Sequence, residues 1–243
     1  KKYGIRDYRG GGRSSARETA VRVVAGSIAQ QLLILEGVTI KAYVSRVKDV
    51  EVDKYYYDYN LDDIDKNIIR CPDKVKAKEM ISLIKETNQS GDTVGGEITG
   101  VALNVPVGWG EPIFDKLNAE LAKAIFSINA VKGFYIGLDQ TKRYGSEVND
   151  IIKDISGKTK TNNSGGIQGG ISNGNDIFFN VAFKPVSTIM KAQDSINKSG
   201  QKVTIHPKGR HDPCVLPRAV PVVEAMTALV LVDNYLISKT NKI

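Results

Sequence analysis

Four short stretches of the chain combine residue types that bind anions or move protons. The first is RDYRGGGRSSAR at residues 6–17, where Arg6, Arg9, Arg13 and Arg17 surround three glycines ahead of an amphipathic pattern. Glycine lets backbone amides approach an anion, a helix N-terminus favours negative charge, and arginine forks match phosphate and carboxylate. We interpret this stretch as an anion site; the alternative is a flexible loop before a capped helix.

Two further stretches are rich in glycine or in hydroxyl groups. GGIQGGISNG at residues 165–174 admits a flat ligand against the backbone, although a tight turn or hairpin explains it at least as well. KPVST at residues 184–188 follows an apolar alternation. Its lysine and two hydroxyls suit a phosphate, and a strand-ending turn explains them equally well. Neither stretch identifies a site by itself.

The fourth stretch, GRHDP at residues 209–213, places a fixed cation, an imidazole and a carboxylate side by side in Arg210, His211 and Asp212. Such a group can bind an anion and transfer a proton. The alternative is a charged turn ahead of the last helix. No nucleophile elbow occurs, which argues against a serine hydrolase, and no cluster of ligands surrounds His211, which argues against a metal site.

The charge balance suits an anionic partner without identifying it. The 243 residues carry a net charge of +7, which equally describes a lysine-rich surface. The competing function is a nucleic-acid-binding module, but the tyrosine cluster at residues 55–59 lies among acidic residues instead of basic ones. Cys71 and Cys214 lie far apart, which fits a reducing cytoplasm. The apolar run 220–236 contains Glu224 and Asp233 and is short for a bilayer span, so we expect a buried helix.

Apolar periodicity predicts the elements that must position these stretches. We expect an amphipathic helix over residues 13–36, capped by Ser15 and Glu18, with the apolar positions Val21, Val24, Ile28, Leu32 and Leu35. Further helices are predicted at 73–86, from Pro112 to 128, and at 217–238. Strands are predicted at 38–45, 97–105, 131–138, 177–183 and 202–206. Residues 48–67 are predicted to be a surface excursion and residues 139–166 a long loop.

Around these stretches the sequence resembles the chorismate synthase family. The matching strings include YGIRDYRGGGRSSARETA at 3–20, GDTVGGEI at 91–98, VPVGWGEPIFDKLNAELAKAIFSINAVKG at 105–133, GSEVND at 145–150, TNNSGGIQGGISNG at 161–174, AFKP at 182–185 and GRHDPCVLPRAVPVVEAM at 209–226. They follow the order of the family from one end of the chain to the other. Chance does not account for so many long matches.

The resemblance implies an α/β fold of the α+β type, a β-α-β sandwich with helices packed between antiparallel sheets. It implies a single domain, residues 1–243, that lacks the N-terminal part of the family. The expected reaction is the trans-1,4-elimination of phosphate from 5-enolpyruvylshikimate 3-phosphate to give chorismate, the final step of the shikimate pathway. It requires reduced FMN, with NADPH as a candidate reductant. The expected enzyme is a cytoplasmic homotetramer with no nucleic-acid or membrane partner.

The resemblance also assigns residues. Those expected to bind the flavin are Arg13, Ser14, Ser15, Asn129, Ala130, Gly169, Lys184, Pro185, Val186, Ser187, Thr188 and Arg210. Arg13, Arg17 and Arg210 are expected to bind substrate, Asp212 is the expected catalytic residue, and no metal is expected. Two histidines that the family uses as acids have no counterpart here, and neither His206 nor His211 takes their place. We therefore expect this chain to be inactive alone.

Overall fold

An antiparallel sheet of five strands is the frame of the computed structural model, which describes residues 2–5, 7–207, 209 and 211–241. The strands are β1 Thr39–Val47, β2 Val50–Glu51, β3 Gly96–Leu103, β4 Val131–Ile136, β5 Ile167–Gln168, β6 Ile171–Ser172, β7 Ile177–Phe183, β8 Gln193–Ile196 and β9 Lys202–Ile205. The large sheet has the order β2-β1-β3-β7-β4, while β5–β6 and β8–β9 form separate hairpins. The strands predicted from the sequence correspond to β1, β3, β4, β7 and β9. The strands β2 and β8 were not predicted, and β5–β6 form the hairpin that was the alternative interpretation of residues 165–174.

Three of the α-helices, α1, α3 and α5, cover one face of this sheet. The helices are α1 Thr19–Leu35, α2 Lys74–Gln89, α3 Leu117–Phe126, α4 Gly145–Val148 and α5 Leu216–Ser238. Side chains of α1, α3 and α5 join those of β1, β3 and β7 in one buried cluster. The expected mixture of helices and antiparallel sheet in a single domain is confirmed. Among the described residues there is one large sheet, which covers the helices on one side. A sandwich with helices between two large sheets would require a second such sheet on their other side.

The packing of α1 differs from the expected one. Val21, Val24, Ile28, Leu32 and Leu35 are exposed, and the buried positions are Gly26, Ala29 and Leu33. The buried face is made of smaller residues, which lets α1 approach α5 closely. A Cβ placed on Gly26 would lie 2.3 Å from the Cβ of Ala225. Periodicity found the helix but selected the wrong face.

The start of α1 also differs from the capping-box prediction. Two 3-10 turns, Gly12–Ser14 and Ala16–Glu18, precede the α-helix. Ser15 accepts a hydrogen bond from the amide of Arg17 at 3.3 Å, so it caps the second turn instead of the α-helix. The carboxylate of Glu18 is engaged by Arg22 and not by a backbone amide.

The helix expected from Pro112 begins only at Leu117. Ile113 has φ +70°, a left-handed conformation that a β-branched residue adopts at a cost, so residues 111–116 form a turn. Phe114 is consequently 86% exposed, whereas Leu121 and Ile128 are buried.

Two irregular segments are fixed by buried or charged groups. In the excursion 48–67, Tyr56 is buried and packs against Phe178 on the outer face of the sheet, with ring centroids 5.1 Å apart.

In the loop 139–166, the carboxylate of Asp150 accepts from the amides of Asn163 at 2.7 Å and Ser164 at 2.9 Å. Burial opposes its charged form, but these hydrogen bonds outweigh burial and lower the pKa of Asp150. The predicted loop is interrupted by the short helix α4 and by a bridge between Ile152 and Thr159, and the rest of it has no regular structure.

By length and composition alone, α5 is apolar enough to cross a membrane. In this structure it packs against α1, α3 and the sheet, which is the arrangement of a core helix. It carries one partly buried carboxyl group, Glu224, whose Oε1 accepts a hydrogen bond from the amide of Ala42 at 2.8 Å. Burial raises the pKa of Glu224 from 4.5 to about 7.

We predict that Glu224→Gln removes a pH dependence of stability. Between pH 4.5 and 7 the unfolded carboxyl has lost its proton while the folded one keeps it, so stability falls as pH rises through this window. Glutamine keeps the acceptor for Ala42 and does not titrate, so the variant should lack this slope, whose total effect has an upper limit of about 3–4 kcal/mol. Urea unfolding from pH 4 to 8 measures it. Asp233→Asn, on the exposed side of α5, is the control and should leave the slope as in the wild type.

We also predict that Gly26→Ala destabilises the fold. The new methyl group would overlap Ala225, and the helices must separate, at a cost of about 2 kcal/mol or more. Thermal unfolding measures the effect. Gly145→Ala is the control, because a Cβ at Gly145 meets no atom within 4 Å. Equal melting temperatures for the two variants would contradict the close contact.

Candidate functional site

The strand register brings several loops to one end of the sheet. Gly96 pairs with both Val47 and Phe183, and Phe183 also pairs with Val131. We call the edge formed by these four residues the Phe183 end. Residues 184–188 leave the sheet here, residues 91–95 enter it, and residues 127–130 precede β4 here. These segments contain half of the predicted site residues, among them Asn129, Ala130 and Lys184.

Helices α1 and α5 both begin at the Phe183 end. They run parallel, because Arg22 contacts Met226, Gly26 contacts Ala225, and Glu36 accepts a hydrogen bond from Tyr235. The N-terminus of a helix carries partial positive charge and unpaired amides, so two such ends favour an anion here. Residues 13–17 precede one helix and residues 211–215 precede the other. Their convergence was not derivable from their separation in sequence.

Asn129 and Ala130 join the two sides of this end. The side-chain amide of Asn129 donates to the carbonyl of Ser14 at 2.9 Å, and the carbonyl of Ala130 accepts from the amide of Lys184 at 2.9 Å. The structure thus brings together three predicted flavin-binding stretches. The Oδ1 atom of Asn129 is buried and has no hydrogen-bond partner among the described residues. A buried acceptor of this kind suits a donor on a bound molecule.

Residues 91–95 hold the segment 184–188 in place. The Thr93 hydroxyl donates to the carbonyl of Val186 at 2.7 Å. A Cβ on Gly95 would lie 2.3 Å from the carbonyl oxygen of Phe183 and 2.9 Å from the nitrogen of Pro185. Within the segment, the Nζ of Lys184 donates to the Oγ of Ser187. The segment is therefore a fixed turn that presents an ammonium group and hydroxyls.

Asp212 lies beside the same segment. It lines a small cavity together with His211, Thr188 and residues 91–93. The amide of Val94 donates to the carbonyl of Pro213 at 2.8 Å, which fixes the chain next to Asp212. Its carboxylate pairs with Arg218 of α5 at 2.6 Å. Asp212 is thus a partly exposed carboxylate that an ion pair holds at the start of α5, beside Thr188.

The other predicted site residues are exposed, lie outside the described residues, or lie elsewhere in the fold. Arg13 and Arg17 are exposed, and among the described residues neither side chain has a hydrogen bond or ion pair. Arg210 and Arg6 lie outside the described residues. Gly169 lies in the β5–β6 hairpin, where Gly170 accepts from the amide of Leu117 at the start of α3.

Gly169 is therefore not part of the group at the Phe183 end. Its hairpin leads into β7 at Ile177, and β7 crosses the sheet before it reaches Lys184. Seven strand residues span about 20 Å. The structure brings Ser14, Asn129, Ala130, residues 184–188 and Asp212 together, and leaves Gly169 at the opposite end.

Three contributors were not identified from the sequence: Thr93, Gly95 and Arg218. Thr93 and Gly95 lie in the string GDTVGGEI, to which no role was given. The pair Gly95–Gly96 was a signal for close approach of backbone, but nothing in the sequence indicated which backbone. Within residues 2–5, 7–207, 209 and 211–241, no group of three or more side chains could hold a metal ion.

The chain resembles known proteins over nearly its whole length. The family model described as chorismate synthase matches residues 1–236. A chorismate synthase of Christiangramia forsetii is 60% identical over 100% of this chain and 68% of that protein. One of Cytophaga hutchinsonii is 57% identical over 98% of this chain and 68% of that protein. A solved crystal structure of chorismate synthase superposes with a TM-score of 0.77 and 32% identity, covering 93% of this chain and 65% of that one. The chain thus spans about two thirds of the length of these proteins.

We predict that Thr93→Val loosens the turn at residues 184–188. Valine has the same shape but cannot donate to Val186, so a partly buried carbonyl loses its partner, at a cost of about 1 kcal/mol. Hydrogen exchange in the peptide covering residues 185–191 should become several-fold faster. Thr93→Ser keeps the hydroxyl and is the control, with exchange close to the wild type. Equal exchange in the valine and serine variants would show that this hydrogen bond does not hold the turn.

Proposed function

The chain belongs to the chorismate synthase family, and from this premise we propose that it provides most of the cofactor site of a phosphate lyase. The proposed reaction is the trans-1,4-elimination of phosphate from 5-enolpyruvylshikimate 3-phosphate, which gives chorismate and requires reduced FMN. This is the final step of the shikimate pathway. The similar proteins of Christiangramia forsetii and Cytophaga hutchinsonii carry the name of this enzyme.

The observation that supports the proposal most strongly is the convergence at the Phe183 end. Two helix N-termini, Lys184 and the segment that carries the exposed Arg13 and Arg17 lie at this end. The substrate carries a phosphate and two carboxylates, and FMN carries another phosphate. A site with fixed positive charge concentrates and orients such anions.

The donor set fits FMN in chemical terms. In the proposal, Ser14, Ser15 and Asn129 lie along one side of the cofactor. Residues 184–188 lie along the other, next to Ala130. The buried Oδ1 of Asn129 lacks a partner among the described residues and would accept a hydrogen bond from the ligand. Bound reduced FMN would supply electron density to the substrate transiently.

The chain's own residues have two tasks in the elimination. Arg13, Arg17 and Arg210 bind the anionic groups of the substrate, and cations near the departing phosphate stabilise the charge that builds on it. Asp212, beside Thr188, assists proton movement at the flavin. Its pairing with Arg218 fixes its orientation.

The assembly is part of the proposal. We infer a cytoplasmic homotetramer, with NADPH as a candidate reductant of the flavin. Gly169 lies at the other end of β7, a strand about 20 Å long, so in this proposal its hairpin serves a cofactor held mainly by another copy. We further propose that the 243-residue chain by itself binds FMN but does not turn over substrate, since the family's two histidine acids have no counterpart in it.

The catalytic role is tested with Asp212→Asn in protein expressed from the complete gene. We expect phosphate release under reducing conditions to fall about 100-fold, because a positioned proton carrier contributes on this scale. FMN affinity, measured by quenching of flavin fluorescence, should remain within two-fold. Asp194→Asn, on the exposed β8–β9 hairpin, is the control and should keep wild-type turnover.

Two outcomes would contradict the proposal in different ways. Unchanged turnover in Asp212→Asn would remove Asp212 from the mechanism. No phosphate release by the wild-type gene product with reduced FMN and substrate would contradict the proposed reaction.

A further inference from the structure

Arg22, one turn into α1, contacts three elements at the Phe183 end. Its Nε donates to Oε2 of Glu18 at 3.1 Å, and a terminal nitrogen lies 2.7 Å from Oε1 of the same carboxylate. The other terminal nitrogen donates to the Oγ of Ser127 at 2.5 Å and lies 3.9 Å from the sulfur of Met226. The side chain is only 26% exposed. It therefore links the start of α1 to the end of α3 and to α5.

The geometry of these contacts requires a guanidinium group. Arg22 binds Glu18 with two parallel hydrogen bonds and still has a nitrogen that reaches Ser127. A lysine ammonium carries the same charge but cannot form this planar fork. All three nitrogens are engaged within the protein, so Arg22 is not directed at a ligand. Arg13 and Arg17, in contrast, are exposed without partners among the described residues.

The link lies beside the hydrogen bond between Asn129 and Ser14. Ser127 is two residues before Asn129, and it also donates to the carbonyl of Ala124 at 2.5 Å, which closes α3. Asn129 then reaches Ser14 at 2.9 Å, and Ala130 binds the amide of Lys184. A shift of Ser127 relative to α1 would therefore change the separation of Ser14, Asn129 and Lys184 together.

We propose that Arg22 is a positioning residue, which holds the turn 127–130 against the start of α1. The separation between the two sides of the FMN site is thereby fixed. The inference rests on the proposed function, since FMN is the ligand whose site it sets. Arg22 acts through Ser127 and Asn129 and does not touch the cofactor.

The experiment compares FMN affinity and its salt dependence in the wild type, Arg22→Lys and Arg17→Gln. Arg22→Lys should weaken FMN binding about ten-fold, because charge-assisted hydrogen bonds are lost although the charge remains. Its salt dependence should equal that of the wild type. Arg17→Gln removes an exposed cation, so it should weaken binding and also reduce the salt dependence.

A charge exchange supplies the rescue. Glu18→Gln should weaken FMN binding as Arg22→Lys does, and the double variant Glu18→Arg with Arg22→Glu should recover part of the loss. Circular dichroism and thermal unfolding check that each variant folds. Amide hydrogen exchange in peptides 12–18 and 127–131, measured without any ligand, reports on the contacts of Arg22 with Glu18 and Ser127. Exchange should be faster in Arg22→Lys.

The outcomes separate the inference from the function on which it rests. Wild-type FMN affinity and wild-type exchange in a folded Arg22→Lys would overturn the positioning role. A reduced salt dependence in Arg22→Lys would also overturn it, since Arg22 would then bind the anion itself. Absence of FMN binding in the wild type would contradict the proposed function, and the exchange measurement would then decide the link alone.

Discussion

The close contact between Gly26 of α1 and Ala225 of α5 is the constraint on which the rest of the structure depends. Since Gly26 has no side chain, the two helices approach until a Cβ at this position would lie 2.3 Å from the Cβ of Ala225. Because the helices are parallel, this contact sets their starts at the same level. Residues 13–17 and Asp212 consequently reach the same end of the sheet, although about 200 residues separate them in sequence.

Glycines in the sheet complete this convergence. Gly95 lets the turn after β7 pass within contact of residues 91–95, since any Cβ there would overlap Phe183 and Pro185. A Cβ on Gly96 would lie 2.0 Å from the carbonyl oxygen of Arg46 and 2.8 Å from the Cδ1 of Leu216. The first residue of α5 therefore packs directly on the sheet. These two contacts account for the glycine pair in the string GDTVGGEI. They bring residues 184–188 and the start of α5 together.

Much of this arrangement could be predicted from the sequence, and the exceptions have physical reasons. The alternation of Ile177, Phe179 and Val181 identified β7, because a half-buried strand has a period of two. The face of α1 was predicted wrongly, because both of its faces are apolar and the choice depends on which one fits α5. The late start of α3 follows from the left-handed Ile113, which no propensity of isoleucine indicates. The resemblance named Asn129 and Lys184, but only the fold shows that they are linked through Ala130.

The arginines at the Phe183 end are of two kinds, those paired with a carboxylate and those without one. Three described carboxylates there each have a cationic partner: Glu18 pairs with Arg22, Asp92 with Lys191, and Asp212 with Arg218. These pairs fix loops and helix starts and contribute little net charge. Arg13, Arg17 and Lys184 pair with no carboxylate among the described residues, so each adds uncompensated positive charge near a helix N-terminus. An anion that approaches this end therefore meets a field produced by Arg13, Arg17, Lys184 and the helix starts, in a geometry that the paired residues hold.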